Sequence, residues 1–136
     1  MLELADTSAW LVSRVSPDFR SKVADGEIAT CDMVKLELLR GARNPREFDS
    51  MRSELDQLRA FPIGLQEWQR AIDVYHEICR RGPGNDSHRR VNHEDLLIAA
   101  AAESASMPVV HYDSHFETIA AVTGQATRWI APRGSL

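Results

Sequence analysis

The chain has 136 residues, 43% of them hydrophobic and 26% charged, with a formal net charge of −4. That is the size of one ordinary domain with enough apolar material for a core, and the composition excludes a disordered chain. The mild negative charge excludes a protein that coats nucleic acid generically, but leaves room for an acidic site ringed by arginines.

Leu2 to Ala5 reads as a short buried strand, Glu3 notwithstanding. Asp6-Thr7-Ser8 stops it and caps a following helix with Trp10, Leu11 and Val15 turned inward. A second helix is expected from Pro17 to Ala24, and Ile28 to Thr30 is a weak strand after the Asp25-Gly26 turn. Asp32 stands as the N-cap of a helix to about Ala42, with Val34, Leu38 and Ala42 as its core stripe. Asn44-Pro45 starts another helix, carried by Phe48, Met51, Leu55 and Leu58. Phe61-Pro62-Ile63 is an extended link suited to a sheet edge.

Leu65, Trp68, Ile72, Tyr75 and Ile78 or Cys79 mark the clearest amphipathic helix. Arg80-Arg81-Gly82-Pro83-Gly84 stops it, and a polar loop runs on to Arg90. Asn92 caps an alanine-rich helix through Ala105. Val109 to His111 is a strand, Ser114 to Val122 a helix, and Thr127 to Ile130 a last strand. Strands alternating with helices imply a single α/β domain over residues 1–136, with a short, mostly parallel sheet flanked by helices on both faces. In such sheets function collects beyond the carboxyl ends of the strands.

Four acidic residues sit where this architecture gathers side chains. Asp6 and Asp113 directly follow apolar runs read as strands, and Glu37 and Asp95 lie in the first halves of helices. Singly, each has an ordinary explanation as a cap, a first-turn charge or a solvated side chain. Their surroundings argue otherwise. Glu37 is flanked by Leu36, Leu38 and Leu39, and Asp95 runs straight into Leu96-Leu97-Ile98-Ala99-Ala100-Ala101-Ala102. Partly buried like charges raise one another's pKa values unless a cation neutralises them. Carboxylates without thiolate partners favour a hard divalent ion, Mg²⁺ or Mn²⁺ first.

The wording and order of these segments resemble the PIN-domain ribonucleases, specifically the VapC-type toxins of type II toxin–antitoxin pairs. Leu4-Ala5-Asp6-Thr7-Ser8 is similar to that family's opening strand and first acidic residue, and Leu36-Glu37-Leu38-Leu39-Arg40-Gly41 to its second acidic segment. Asp95-Leu96-Leu97-Ile98-Ala99-Ala100 is similar to its third, and Tyr112-Asp113-Ser114-His115-Phe116 to its fourth. The resemblance covers nearly the whole chain and implies a PIN-like domain that cleaves RNA endonucleolytically with a metal. Asp6, Asp95 and Asp113 would hold the ion, Glu37 would complete the coordination or orient water, and Thr7 or Ser8 would add a hydroxyl. Many members carry an acid or amide two positions after the fourth aspartate. His115 stands there in this chain, which implies a weak or absent second metal position.

Cations around the rim would meet phosphate. Arg40, Arg43 and Arg46, and Arg80, Arg81, Arg89 and Arg90, form two clusters suited to backbone contacts rather than base readout. His88 with His93, and His111 with His115, make no zinc motif. Trp10, Trp68 and Trp129 read as core or interface rather than base-stacking platforms. Two cysteines, Cys31 and Cys79, on different helices suggest no disulfide framework. With no secretory leader evident, a reducing cytoplasm is expected. The longest apolar-rich run, Leu96 to Ala102, is too short to cross a bilayer.

The resemblance also implies a VapB-type antitoxin, supplied as a separate chain, seated on the helices from Pro45 to Arg81. Phe48, Met51, Leu55, Trp68, Ile72 and Tyr75 would share that surface with the core. A homodimer is expected through the alanine-rich helix and Tyr112, Phe116 and Ile119. Two alternatives stand beside the nuclease: a PIN-like module that binds RNA or a partner with little cleavage, and a metal-dependent phosphatase on a doubly wound fold. The phosphatase would want a second aspartate where Ser8 stands.

Overall fold

The computed structural model describes residues 1–81 and 87–136. Its strands are β1 (Glu3–Ala5), β2 (Ile28–Cys31), β3 (Arg59–Phe61), β4 (Val109–His111) and β5 (Thr127–Trp129). Its helices are α1 (Thr7–Leu11), α2 (Pro17–Ala24), α3 (Asp32–Leu39), α4 (Pro45–Leu55), α5 (Leu65–Arg81), α6 (His93–Ser104) and α7 (His115–Thr123). Single 3₁₀ turns cover Ser13–Val15 and Ser87–Arg90.

All strand pairings are parallel, in the order β3-β2-β1-β4-β5. The chain starts in the middle, builds outward through β2 and β3, then returns to the other side of β1 with β4. The gap between the carboxyl ends of β1 and β4 is therefore a topological switch point, where such sheets leave a crevice. Pleating sorts the strand residues. Leu4, Ala29, Cys31 and Val109 face a core shared with α3, α5, α6 and α7, while Ala5, Ile28 and Val110 face Ala9 of α1 and Phe19 of α2. Both faces are thus covered, as the strand–helix alternation predicts.

Glu3, the misfit in the first strand, is 6% exposed but ion-paired. Arg128 on β5 donates to it at 2.8 and 3.0 Å and Lys22 on α2 at 3.0 Å, and the Arg128 contact above all holds its carboxyl below the usual range. Asn44 caps α4 by accepting from the Glu47 N–H at 2.8 Å, with Pro45 as the first helical residue, as its sequence implies.

Several expectations are corrected. Leu11 and Val15 point to solvent, because α1 lasts five residues and breaks into a 3₁₀ turn; Ala9 is buried instead. Asp32 is the first residue of α3 rather than its cap, which is Cys31, and the helix stops at Leu39 rather than Ala42. Asn92 sits at the N-cap of α6 without a side-chain capping bond. On α5 the inward face is Ala71, Val74 and Ile78, while Leu65, Trp68 and Ile72 are exposed. Phe116 and Ile119 are at most 1% exposed and the alanines of α6 are buried within the chain, so neither offers a surface to a second copy. The Gly82-Pro83-Gly84 part of the stop signal, and the loop up to residue 86, lie outside the described residues.

Candidate active site

Asp6 ends β1 and caps α1. Its backbone N–H continues the ladder to Val110 O at 2.9 Å, which brings the start of α1 to the end of β4. Its Oδ2 accepts from the Ser8 N–H at 3.0 Å and from Ser8 Oγ at 2.5 Å. Ser8 Oγ in turn accepts from the Tyr112 N–H at 2.8 Å, so one hydroxyl ties the two strand ends together. Asp6 Oδ1 is buried and has no hydrogen-bond partner among the described residues. Thr7, the first residue of α1, donates from Oγ1 to Glu37 Oε1 at 2.8 Å and so fixes the α3 carboxylate over the same opening.

The opposite wall comes from α6 and α7. Asp95 Oδ2 lies 3.0 Å from His115 Nδ1. The His115 N–H donates to Asp113 Oδ1 at 2.9 Å, and its Nδ1 stands 3.5 Å from that same oxygen. Ligand atoms of Asp95, Asp113 and His115 all lie within 4.8 Å of one another. Asp6 and Glu37 are outside that tight set but face it electrostatically. The Asp95 carboxyl is pushed up to about 8 by burial first, then by the fields of Asp6, Asp113, Glu37 and Glu94. Burial also raises Asp6, with Asp113 adding and the Ser8 and Thr7 hydrogen bonds opposing. Glu37 is raised by burial, with Asp6 and Glu94 adding and the Thr7 bond opposing.

The four sequence-predicted carboxylates are thus brought together, with Thr7, Ser8 and His115 as their immediate supports. Two residues beyond that set act on the site. Glu94 adds negative charge to Glu37 and Asp95, which its place beside Asp95 could have signalled. His111 is fully buried, and burial pushes its pKa down to about 4, so the ring is neutral. Its Nδ1 accepts from the Asp113 N–H at 3.2 Å, and it stacks on Phe116. A buried strand histidine carries no sequence signal for that role.

The arginines divide. Arg43 is paired with Glu47 on an exposed surface, and Arg80 and Arg81 both with Glu77. Among the described residues Arg40, Arg89 and Arg90 have no ion pair within 4.0 Å.

The donor set suits a divalent cation. It is oxygen-rich with one imidazole, contains no thiolate, carries like charges that burial makes unfavourable, and leaves a buried oxygen of Asp6 unpartnered.

A parallel α/β sheet with carboxylates gathered beyond its switch point is the class of arrangement found in PIN domains, and the PIN domain family model matches residues 4–122. The chain is 38% identical to ribonuclease VapC18 of Mycobacterium tuberculosis over the full length of both, and 34% identical to ribonuclease VapC51 of the same organism over 98% of this chain and 96% of that one. In fold it is similar to the DNA-bound VapBC of Salmonella typhimurium, at a TM-score of 0.73 and 18% identity, covering 96% of this chain and 100% of that one. VapBC-1 of nontypeable Haemophilus influenzae gives 0.72 and 15%, covering 96% and 98%. The chain belongs to the PIN domain family and, within it, to the VapC ribonucleases. That membership sets aside the phosphatase alternative, and Ser8 is accounted for as a hydrogen-bonded strut.

Proposed function

We propose that the protein is a divalent-metal-dependent endoribonuclease and the toxin of a toxin–antitoxin pair, with Asp6, Glu37, Asp95 and Asp113 as its active site. The observation that carries this reading is their convergence at one opening, where burial and mutual repulsion drive Asp95 up to about 8. Holding like charges together at that cost makes sense when a cation completes them.

Asp6, Asp95 and Asp113 hold Mg²⁺ or Mn²⁺ in this reading. When bound, the ion activates a water and offsets charge on the scissile phosphate and leaving oxygen. Thr7 holds Oε1 of Glu37 and leaves Oε2 to orient water. Ser8 keeps Asp6 at the mouth of the sheet, and His111 fixes the Asp113 backbone. Arg40, Arg89 and Arg90, exposed and without an ion pair among the described residues, are the cations most readily available to phosphates. The exposed pairs of Arg43, Arg80 and Arg81 are weak enough for RNA to displace.

Two apolar surfaces suit protein partners. The groove lined by Trp68, Ile72, Tyr75, His93, Leu96 and Leu97, about 260 Å³, suits a second copy of the chain. The cleft lined by Trp10, Val23, Leu38, Met51, Leu55 and Leu58, about 290 Å³, suits a short amphipathic helix of a VapB-type antitoxin. The VapBC complexes among the fold neighbours support such a partner. No described helix is long and apolar enough to cross a membrane.

Cleavage of total cellular RNA tests the reading. Activity with Mg²⁺ is expected to fall by roughly a hundredfold or more with EDTA or in Asp6→Asn. Cleavage that survives both would overturn it.

A further inference from the structure

We propose that His115 is itself a ligand of the cation, through Nδ1, and that this nitrogen makes the site prefer Mn²⁺ to Mg²⁺. The inference rests on the metal-dependent reading above and adds a specific ligand and ion preference to it.

Three observations support it. His115 Nδ1 lies 3.0 Å from Asp95 Oδ2 and 3.5 Å from Asp113 Oδ1, and the ligand atoms of the three residues fall within 4.8 Å of one another. A six-coordinate ion with bonds of about 2.1 Å spans about 4 Å between opposite ligands, so a small closure brings all three onto one ion. The imidazole is also held in place. His115 opens α7, its N–H is tied to Asp113 Oδ1 at 2.9 Å, and the next residue, Phe116, is fully buried. Finally, Asp6 Oδ1 is buried without a partner. A cation in this opening would give that oxygen a partner.

The choice of ion follows from ligand chemistry. Mg²⁺ demands oxygen ligands and gives up its waters reluctantly, whereas imidazole suits the transition metals. Mn²⁺ shares the charge and the oxygen preference of Mg²⁺ but accepts a nitrogen donor. Comparing these two ions therefore isolates the contribution of His115.

Calorimetric titration of Mn²⁺ and Mg²⁺ into metal-free wild type, His115→Asp and His115→Gln tests this, with pulsed EPR of bound Mn²⁺. Wild type is expected to show nitrogen coupling to Mn²⁺ that both variants lose. The Mn²⁺-to-Mg²⁺ affinity ratio should drop roughly tenfold in His115→Asp, which supplies an oxygen instead. A merely structural histidine would weaken both ions equally. A wild-type spectrum with no nitrogen coupling overturns the proposal even if the variants fold poorly, as does an unchanged ratio. Cation binding through oxygens alone, with RNA still cut, would remove His115 as a ligand and leave the ribonuclease reading standing. An absence of any cation binding would remove both.

Discussion

Asp6 divides its work between its two oxygens. Oδ2 is tied to Ser8, and through Ser8 Oγ to the Tyr112 N–H, while Oδ1 stays buried and unpartnered. Capping and site-building are therefore one arrangement rather than rival explanations. Ser8→Ala leaves the Tyr112 N–H without its partner and removes one of the two hydrogen bonds to Asp6 Oδ2. Denaturant unfolding should show a loss of about 1–3 kcal/mol, and cleavage should fall with it. Asp95 gives a pH signature. Its carboxyl moves from 3.8 to about 8 on folding, so the folded chain holds a proton that the unfolded chain releases between those values. Metal-free stability is lost as pH rises through that window. His111, lowered from 6.5 to about 4, works the opposite way below about 6.5, which leaves 6.5 to 8 as the clear range. The metal-free melting temperature should fall across that range in wild type, and Asp95→Asn should melt higher than wild type at pH 8. A flat wild-type profile would contradict the assignment. The four carboxylates were legible because Asp6 and Asp113 follow strands, Asp95 lies in the first turn of a helix, and Glu37, in the second half of α3, stands among leucines. Glu94 was legible only as a neighbour of Asp95, and His111 not at all, because its influence depends on distances that only folding sets.

At the scale of elements, α5 is the instructive case. Its sequence shows a clear apolar rhythm, and the helix is there, but Leu65, Trp68 and Ile72 are not on the buried face. Two neighbouring stripes of α5 are apolar. Periodicity selects the bulkier side chains and so includes Ile78, while close packing against α6 also favours the smaller Ala71 and Val74. The same preference for small residues buries the alanines of α6, which removes them as a dimer surface. The start of α4 fared better than those of α3 and α6. Asn44-Pro45 reads correctly because capping and proline geometry are local. The exposed stripe leads to a prediction: Ile72→Glu should change stability by less than about 1 kcal/mol, because the side chain already faces water. It should nevertheless shift the light-scattering mass of the wild-type assembly toward the 15.3 kDa of one chain. A wild-type mass already at that value would remove the dimer.

For the molecule as a whole, the strand order does the gathering. Starting the chain in the middle of the sheet and returning to the far side of β1 leaves the ends of β1 and β4 adjacent, with α3, α6 and α7 beginning around the same mouth. The alternation of strands and helices made this class of sheet legible, and parallel pairing follows from it. The order of the strands is set by packing that no local pattern encodes. One consequence is global: the acidic mouth works against folding, so a cation bound there should stabilise the whole chain. The most direct test of that claim is the melting temperature at pH 8, with and without millimolar Mn²⁺, for wild type and Asp95→Asn. Wild type should rise by about 5 °C or more and the variant should scarcely respond. No shift in wild type, or an equal shift in both, would contradict a cation shared by these carboxylates.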